Sequence, residues 1–456
     1  MNRPEPVSSI GSKLRRLRNG VALALTVALV MVPVACSGKG GSGTGSKSSS
    51  QTANERSQAS PSGEAQAGSI FDPTKVHTIS VTVPQEKFEA MIANYESTDQ
   101  KDWIEATVEI DGTTYERVGL RLKGNSSLRG ASQKSAQDLP WLIRLNKFVE
   151  GQTHDGFADI VVRSNSSETS LNESVALALL ARAGLASQNA APTRFSVNGS
   201  DQVLRLIVEL PDDDAWQDSW FDGKGALFKA ESTGDWSYRG DDQTSYEDVF
   251  DQEGGKKVTD MTPLIEFLKF INESDDETFA SDLSKYLDVD SFATYLAMMD
   301  LVGNFDDISG PGNNAYLWWD QKSGVFTVVP WDLNLAFGVS PGGGGGRGGA
   351  APGAGGPPGG FPSGGSQGGR TNQGGQRPNG GGFGRSNPLV ERFHSTETFE
   401  ALYQQKLTEL RSELFDSGEA QTILDSQSKV LMDQASDLVD EATITSESDR
   451  IAESFK

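Results

Sequence analysis

The spacing of apolar residues changes twice along this chain, and the changes outline a fold. From Phe71 the period is two. HTISVTV (77–83) alternates as a strand, KFEAMIANY is a helical interlude, and WIEATVEI and TYERVGLRLKG alternate on either side of Asp111-Gly112, a tight-turn dipeptide. WLIRL and ADIVVRSN read as further strands. A helix is predicted from Leu171 to Ala183, opened by a Ser170-x-x-Glu173 capping box and stopped by Gly184. TRFSVNG and DQVLRLIVEL form a second hairpin turning at Asn198-Gly199, and GALFKA is a short strand. From Met261 the period lengthens to that of a helix, in TPLIEFLKFINE and in DVDSFATYLAMMDLVGN, which Asp290 or Ser291 would cap. YLWWD and VFTVVPWDL return to strand around a turn at Asp320–Gly324. The rest, from TETFEALYQQKLTELRSELF onward, is helical. A sheet-rich first part and a helical second part predict an α+β fold with two lobes.

The ends and one interior block fall outside this pattern. Residues 1–36 have a basic start ending in KLRRLRNG, an apolar run from Val21 to Val34, then Ala35-Cys36, which is the layout of a signal peptide. A lone cysteine at its end predicts lipoprotein processing, with Cys36 carrying the lipid. Residues 37–69 are a Gly/Ser-rich flexible linker. Residues 341–385 hold 22 glycines, four arginines and no acid, which predicts a disordered insert or, alternatively, a basic flap. The folded body is therefore 71–340, completed by a C-terminal helical part at 386–456.

Composition narrows the chemistry. Cys36 is the only cysteine, so the mature protein has no internal disulfide and no thiolate metal site. The three histidines match no zinc spacing. A formal net charge of −23 argues against nucleic acid as a partner. What remains is oxygen chemistry. The stretch from Asn304 to Gly338 collects Asp306, Asp307, Asn313, Asn314, Asp332 and Asn334 around aromatic-rich strands, with Trp318, Trp319 and Trp331 crowding the same place. Carboxylates and amides without Cys or His suit a hard cation such as Mg²⁺, which most often serves phosphate. The loop KGNSSLRG (123–130) offers small residues whose N–H groups can form an anion nest, with Lys123 or Arg121 adding charge.

Three motifs occur in order: Asn304-Phe305-Asp306, NNAYL from Asn313, and PWDLNLAFG from Pro330. In order and spacing they resemble the spore-coat CotH kinase family of atypical protein kinases, over about residues 71–340 plus the helical tail. The resemblance implies a bilobal, kinase-like fold with a sheet-rich N-terminal lobe and a helical C-terminal lobe. It implies ATP with Mg²⁺ or Mn²⁺ as cofactors and Asp306 and Asp332 as the essential pair. Asp306 would accept the proton of a substrate hydroxyl. Asp332 would hold the metal, with Asn314 or Asn313 as a neutral second ligand. Asn334 stands where many members have a second Asp. The Gly-Asn-Ser-Ser loop is closely similar, making Lys123, Asn125 and Ser126 candidates for phosphate contact. Glu209 matches a family glutamate, and its basic partner would be Arg144 or Lys147, where the family has lysine. Lys229 is a further family-like position.

The resulting expectation is an extracytoplasmic protein kinase, anchored to the cell membrane through its lipid, moving the γ-phosphoryl group of ATP to Ser or Thr of surface proteins. A catalytically silent, kinase-like envelope scaffold is the alternative. Paired-carboxylate glycoside hydrolysis is a third reading, and it would need no metal.

Overall fold

The computed structural model describes residues 67–232, 234–311, 313–340 and 387–456. The predicted signal peptide, Cys36, all but the end of the linker and the glycine-rich block lie outside the described residues.

Seven strands close into a barrel. β1 (His77–Thr82) is followed by α1 (Gln85–Thr98), then β2 (Ile104–Ile110), β3 (Thr113–Leu122), β4 (Trp141–Arg144) and β5 (Asp159–Val162). After α2 (Leu171–Arg182) come β6 (Ala190–Val197) and β7 (Val203–Val208). The order around the barrel is β1-β2-β3-β4-β5-β7-β6, and parallel pairing of β1 with β6 closes it, from His77 opposite Thr193 to Val81 opposite Val197. Both predicted hairpins form, with Asp111-Gly112 and Asn198-Gly199 at positive φ as two-residue turns require. Alternate residues fill the interior: Val118, Leu120 and Leu122 of β3, Trp141 and Ile143 of β4, and Ile160 and Val162 of β5 share one buried cluster. Met91 and Ile92 of α1 join that cluster.

After α3 (Asp214–Trp220), four strands form a second, wholly antiparallel sheet. They are β8 (Gly225–Ala230), β9 (Phe250–Gly254) and, beyond α4 (Thr262–Glu273), α5 (Asp276–Asp282) and α6 (Val289–Leu301), β10 (Ala315–Asp320) and β11 (Phe326–Pro330). Period two gives the sheet two buried faces. Phe228, Leu317, Phe326 and Val328 pack with the helices, and the Phe326 ring stacks on Phe267 of α4 at 5.1 Å. Leu227, Tyr316, Trp318 and Val329 pack instead with Leu142 and Val161, the outward residues of β4 and β5. The sheet is thus a middle layer between barrel wall and helices. α7 (Pro388–Ser395), α8 (Glu397–Leu410), α9 (Glu419–Ala435) and α10 (Glu441–Glu453) complete the helical layer, with α8 on α6 and α9 on α2.

The mixed α+β class is the one the periods indicate, but three details differ. Strand and helix do not separate along the chain, because β10 and β11 lie beyond three helices and complete a sheet begun by β8. Asp288, rather than Asp290 or Ser291, caps α6, accepting from the Ser291 N–H at 3.2 Å. The capping box on α2 does not form. Ser170 sits at φ 54° with no side-chain cap bond, its own N–H is taken by Ser167 Oγ at 3.0 Å, and Glu173 is drawn off to Arg163.

Gly225 sits where the middle layer is tightest. A Cβ there would fall 2.3 Å from a Trp318 ring carbon and 2.4 Å from the Trp319 carbonyl oxygen. Gly225→Ala should therefore lower unfolding stability by about 1–3 kcal/mol through overpacking. A chemical-denaturation midpoint equal to that of the wild type would show that the layer gives way.

Candidate active site

The site follows from two alternations that face each other. On β3 to β5, the residues that do not point into the barrel include Arg121, Arg144 and, one step past β5, Arg163, with Lys123 just beyond β3. On the second sheet, Lys229 and Tyr316 are cross-strand neighbours on the face turned toward that wall, and Asp251 lies opposite Lys229 on the other side. Trp331 links the two surfaces. Its ring centroid lies 5.5 Å from Lys123 Nζ and 5.8 Å from the Arg163 guanidinium carbon, and it meets Tyr316 edge-on at 5.5 Å. Trp103 gathers three more cations, with Arg121 at 4.7 Å, Lys147 at 5.0 Å and Arg144 at 5.4 Å.

Such crowding of positive charge in a strongly acidic protein has measurable consequences. Burial, reinforced by Lys229 and Arg121, pushes the Lys123 ammonium down to about 8, with Asp212 and Glu253 opposing. Lys101, whose Nζ donates to Asn125 Oδ1 at 2.7 Å, is lowered as well, first by burial and then by Lys229. Several buried polar atoms here have no hydrogen-bond partner among the described residues: Arg121 Nε, Asp212 Oδ1, Trp318 Nε1 and Trp220 Nε1. Each such atom costs roughly 1–3 kcal/mol. Their concentration beside a lysine cluster is what a polyanionic ligand with hydrogen-bonding edges would satisfy.

The acidic end is built from two loops. Asp332 leaves β11 at φ 62°, a left-handed conformation uncommon for a non-glycine residue. Its Oδ1 accepts from Arg163 Nη2. Asp306 lies on the loop after α6, where Asn314 Nδ2 donates to its Oδ2 at 3.1 Å and to its carbonyl oxygen at 2.8 Å. Burial raises Asp306 to about 6, and the Asp332 charge raises it further against the Asn314 bond. The two carboxylates therefore feel one another, although they come from different loops. Gly310 fixes the Asp306 loop, since a Cβ there would fall 1.8 Å from the Phe305 carbonyl oxygen.

The structure distinguishes the two adjacent amides. Asn313 is spent on packing, accepting from Trp236 Nε1 at 2.8 Å and donating to the Glu231 carbonyl at 2.9 Å, and only Asn314 faces Asp306. Among the described residues no group of three or more His, Cys, Asp or Glu could hold a metal ion. Two carboxylates and an amide form an incomplete oxygen set, the kind Mg²⁺ uses when phosphate and water supply its other ligands.

Lys123 and Arg144 lie in this gap, and Asn125 and Ser126 lie exposed on the loop beyond β3. That loop makes a poorer nest than its sequence suggests. The Lys123 N–H donates to the Pro140 carbonyl at 3.1 Å, and those of Leu128 and Arg129 are spent on Asn125 and Ser126. The expected grip of Arg144 on Glu209 is not formed. Arg144 forks onto Asp159 at 2.7 and 2.6 Å and reaches Asp212 at 3.3 Å. Glu209 instead accepts from the Asn189 N–H at 2.6 Å and its Nδ2 at 3.2 Å. The acids nearest Lys123 are Asp212 and Glu253. Asn334 contributes its carbonyl, which accepts from Asn172 Nδ2 at 2.6 Å. Of the tryptophans, Trp318 stacks on Phe221 at 4.6 Å, and Trp319 packs toward the helices. Sequence reasoning missed Arg163, Lys101 and Asp212. The alternation of DIVVR carried a signal for Arg163, because it puts Val161 and Arg163 on the outer wall together. A cavity of about 670 Å³ opens elsewhere, between Asp300, Phe337, Arg411 and Ser454, away from this cluster of groups.

The class of protein is fixed by comparison: the chain belongs to the CotH kinase protein family, whose pattern matches residues 120–449 and so runs on both sides of the glycine-rich block. Among curated proteins it is similar to the inner spore coat protein H of Bacillus subtilis (strain 168), with 25% identity over 202 residues, covering 42% of this chain and 53% of the relative. The chain thus spans about half the length of that relative. Among the described residues no helix is long and apolar enough to cross a membrane.

Glu209 gives a test of the site's electrostatics. Burial raises its carboxyl to about 7 against the Asn189 bonds. The folded state then holds this proton more tightly than the unfolded chain, so the stability it contributes is full below the ordinary glutamate range and is lost as pH rises through about 7. Asp307, raised by burial to about 7, acts in the same direction. Melting temperature should fall by several degrees from pH 5 to pH 8, and Glu209→Gln should flatten that slope. An unchanged slope in the variant would show that Glu209 titrates normally.

Proposed function

We propose that the protein is a kinase-like phosphotransferase that moves the γ-phosphoryl group of ATP to a Ser or Thr hydroxyl of surface proteins, with Mg²⁺ or Mn²⁺. In this reading the barrel and the helical side act as two lobes, and the gap between barrel wall and second sheet is the nucleotide cleft. The observation that carries it is the meeting of Asp306 and Asp332 in one electrostatic field, beside a wall of lysine and arginine with unpartnered buried polar atoms.

Asp332 and Asn314 would hold the divalent ion, which neutralises phosphate charge when bound. Lys123, Lys101 and Lys229 meet the phosphates. A lysine held near 8 by neighbouring cations regains full charge when polyanionic oxygens arrive, so binding and protonation reinforce each other. Asp306 serves as proton acceptor. The acceptor oxygen forms its bond to the γ-phosphorus as the bond to the β-bridging oxygen breaks, and the hydroxyl proton passes to Asp306 Oδ. A carboxylate near 6 is better matched to that task than an ordinary aspartate. The order of charge along the cleft, cations toward the barrel and carboxylates toward the helices, is the polarity that in-line transfer from a bound triphosphate needs.

Lipid attachment at Cys36 would place the domain outside the cytoplasm, and the similarity to a spore coat protein supports a surface location. A catalytically inactive, kinase-like envelope scaffold is the second reading. It is favoured by one observation, that Arg163 already neutralises Asp332.

Incubation with labelled ATP and Mg²⁺ or Mn²⁺, with envelope proteins as acceptors, tests the proposal. Wild type should incorporate label, and chelation should abolish it. Asp306→Asn should reduce incorporation by about 10²–10⁴-fold, and Asp332→Ala by about 10²-fold or more. Incorporation that resists EDTA or survives both substitutions would remove the carboxylate pair from the chemistry. Folded wild type that neither binds Mg-ATP nor transfers label would make the scaffold the better description.

A further inference from the structure

Arg163 leaves the outer wall of the barrel with a guanidinium that two carboxylates share. Its Nε donates to Glu173 Oε2 at 3.0 Å, and its Nη2 lies 2.9 Å from Glu173 Oε1 while also donating to Asp332 Oδ1. Arg163 and Glu173 are enclosed, with side chains 12% and 4% exposed, and the trio opens only at Asp332, 29% exposed. The same first turn of α2 holds the Asp332 loop at a second point, through Asn172 Nδ2 on the Asn334 carbonyl. α2 therefore controls both the charge and the backbone of the residue that leaves β11 in a strained conformation.

The charges do not balance. Asp306, Asp332 and Glu173 carry three formal negative charges against one guanidinium, leaving a deficit equal to one divalent cation. Yet the Asp332 oxygen is already engaged, and a guanidinium cannot release its proton to make way. Two cations cannot share one carboxylate oxygen at contact distance without strong repulsion. Arrival of a metal must therefore be an exchange, and the exchange needs somewhere for Arg163 to go.

We propose that Arg163 is the resident counter-cation of Asp332, displaced by a divalent metal, and that Glu173 is the acceptor that retains the displaced guanidinium. This rests on the phosphotransferase reading above and adds to it a positioning pair with opposite effects. Arg163 competes with the metal. Glu173 draws Arg163 away and so favours the metal. The movement is short, because two of the contacts already run to Glu173 and Trp331 lies against the guanidinium carbon throughout. Metal affinity is then set by how strongly Asp332 and Glu173 contend for one arginine, and it can be tuned from α2 without altering any metal ligand.

The test is Mn²⁺ binding by the intact chain, read from loss of the free-ion electron paramagnetic resonance signal, without nucleotide and with a non-hydrolysable ATP analogue. Circular dichroism melting confirms the fold of each variant. Arg163→Gln should lower the apparent Kd for Mn²⁺ by about tenfold, a change typical of coupled sites. Glu173→Gln should raise it by a similar factor, since Arg163 then has only Asp332. Arg163→Lys keeps the charge but loses the two-carboxylate fork, so it should fall between wild type and Arg163→Gln, and it serves if Arg163→Gln does not fold. A purely structural role would move both partners the same way. Equal or parallel shifts in the Arg163 and Glu173 variants, with wild type binding Mn²⁺, overturn the exchange and leave the phosphotransferase reading intact. Wild type that takes up no Mn²⁺ even with the analogue overturns both.

Discussion

The contact between the outer wall of the barrel and one face of the second sheet is the constraint on which the rest depends. Leu142 and Val161 from the barrel meet Leu227, Tyr316, Trp318 and Val329 from the sheet, all buried. Fully burying side chains of this size is worth roughly 1.5–3 kcal/mol each, so the seam is a strong one. It fixes the distance at which polar neighbours of the same strands face each other. Arg121 and Arg144 are neighbours of Leu142 in the sheet register, and Lys229 is the cross-strand partner of Tyr316. Apolar residues set the width of the gap, and polar residues next to them supply its chemistry.

The same seam explains why the site is electrostatically tense. Groups that would be unremarkable at a surface are held where solvent is thin. Lys123 is depressed toward neutrality, and Asp306 is pushed toward protonation. Strain in the backbone adds to this at Asp332. Such costs persist only where the surrounding packing over-determines the conformation, and here it does: β11 is anchored below by Val328 and Val329, and the loop beyond is held by Asn172. Tension of this sort is what ligand binding can relieve.

Period and turn chemistry made most of the elements legible, because each depends on its own few residues. Asp111-Gly112 and Asn198-Gly199 specified their hairpins outright, and the fourfold apolar recurrence in TPLIEFLKFINE is a helix in any context. Closure of the barrel was not legible, since parallel pairing of β1 with β6 leaves no local mark. Motif order drew attention to Asp306 and Asp332, and the pairing of Asp306 with Asn314 rather than Asn313 was decided by Trp236, a residue far away in sequence. Arg144 and Glu209 show the converse. Each has the right residue type, but charge partners are chosen by three-dimensional proximity, and Asp159 and Asn189 were nearer. Glu173 was hidden for a related reason: a plausible local role, the capping box, masked the distant one it plays with Arg163.

Barrel closure also bears on how the molecule comes into being. Thr193 Oγ1 bonds to the His77 carbonyl across 116 residues of chain, so the first strand waits, half-paired with β2, until nearly two hundred residues have been made. During that interval its outer edge is a template that any passing extended segment could occupy. Once β6 arrives the edge disappears, and the finished barrel offers no strand to a neighbouring chain. Newly synthesised protein is thus most vulnerable to aggregation early, and chaperoning of the nascent N-terminal third would matter more for yield than the stability of the completed fold.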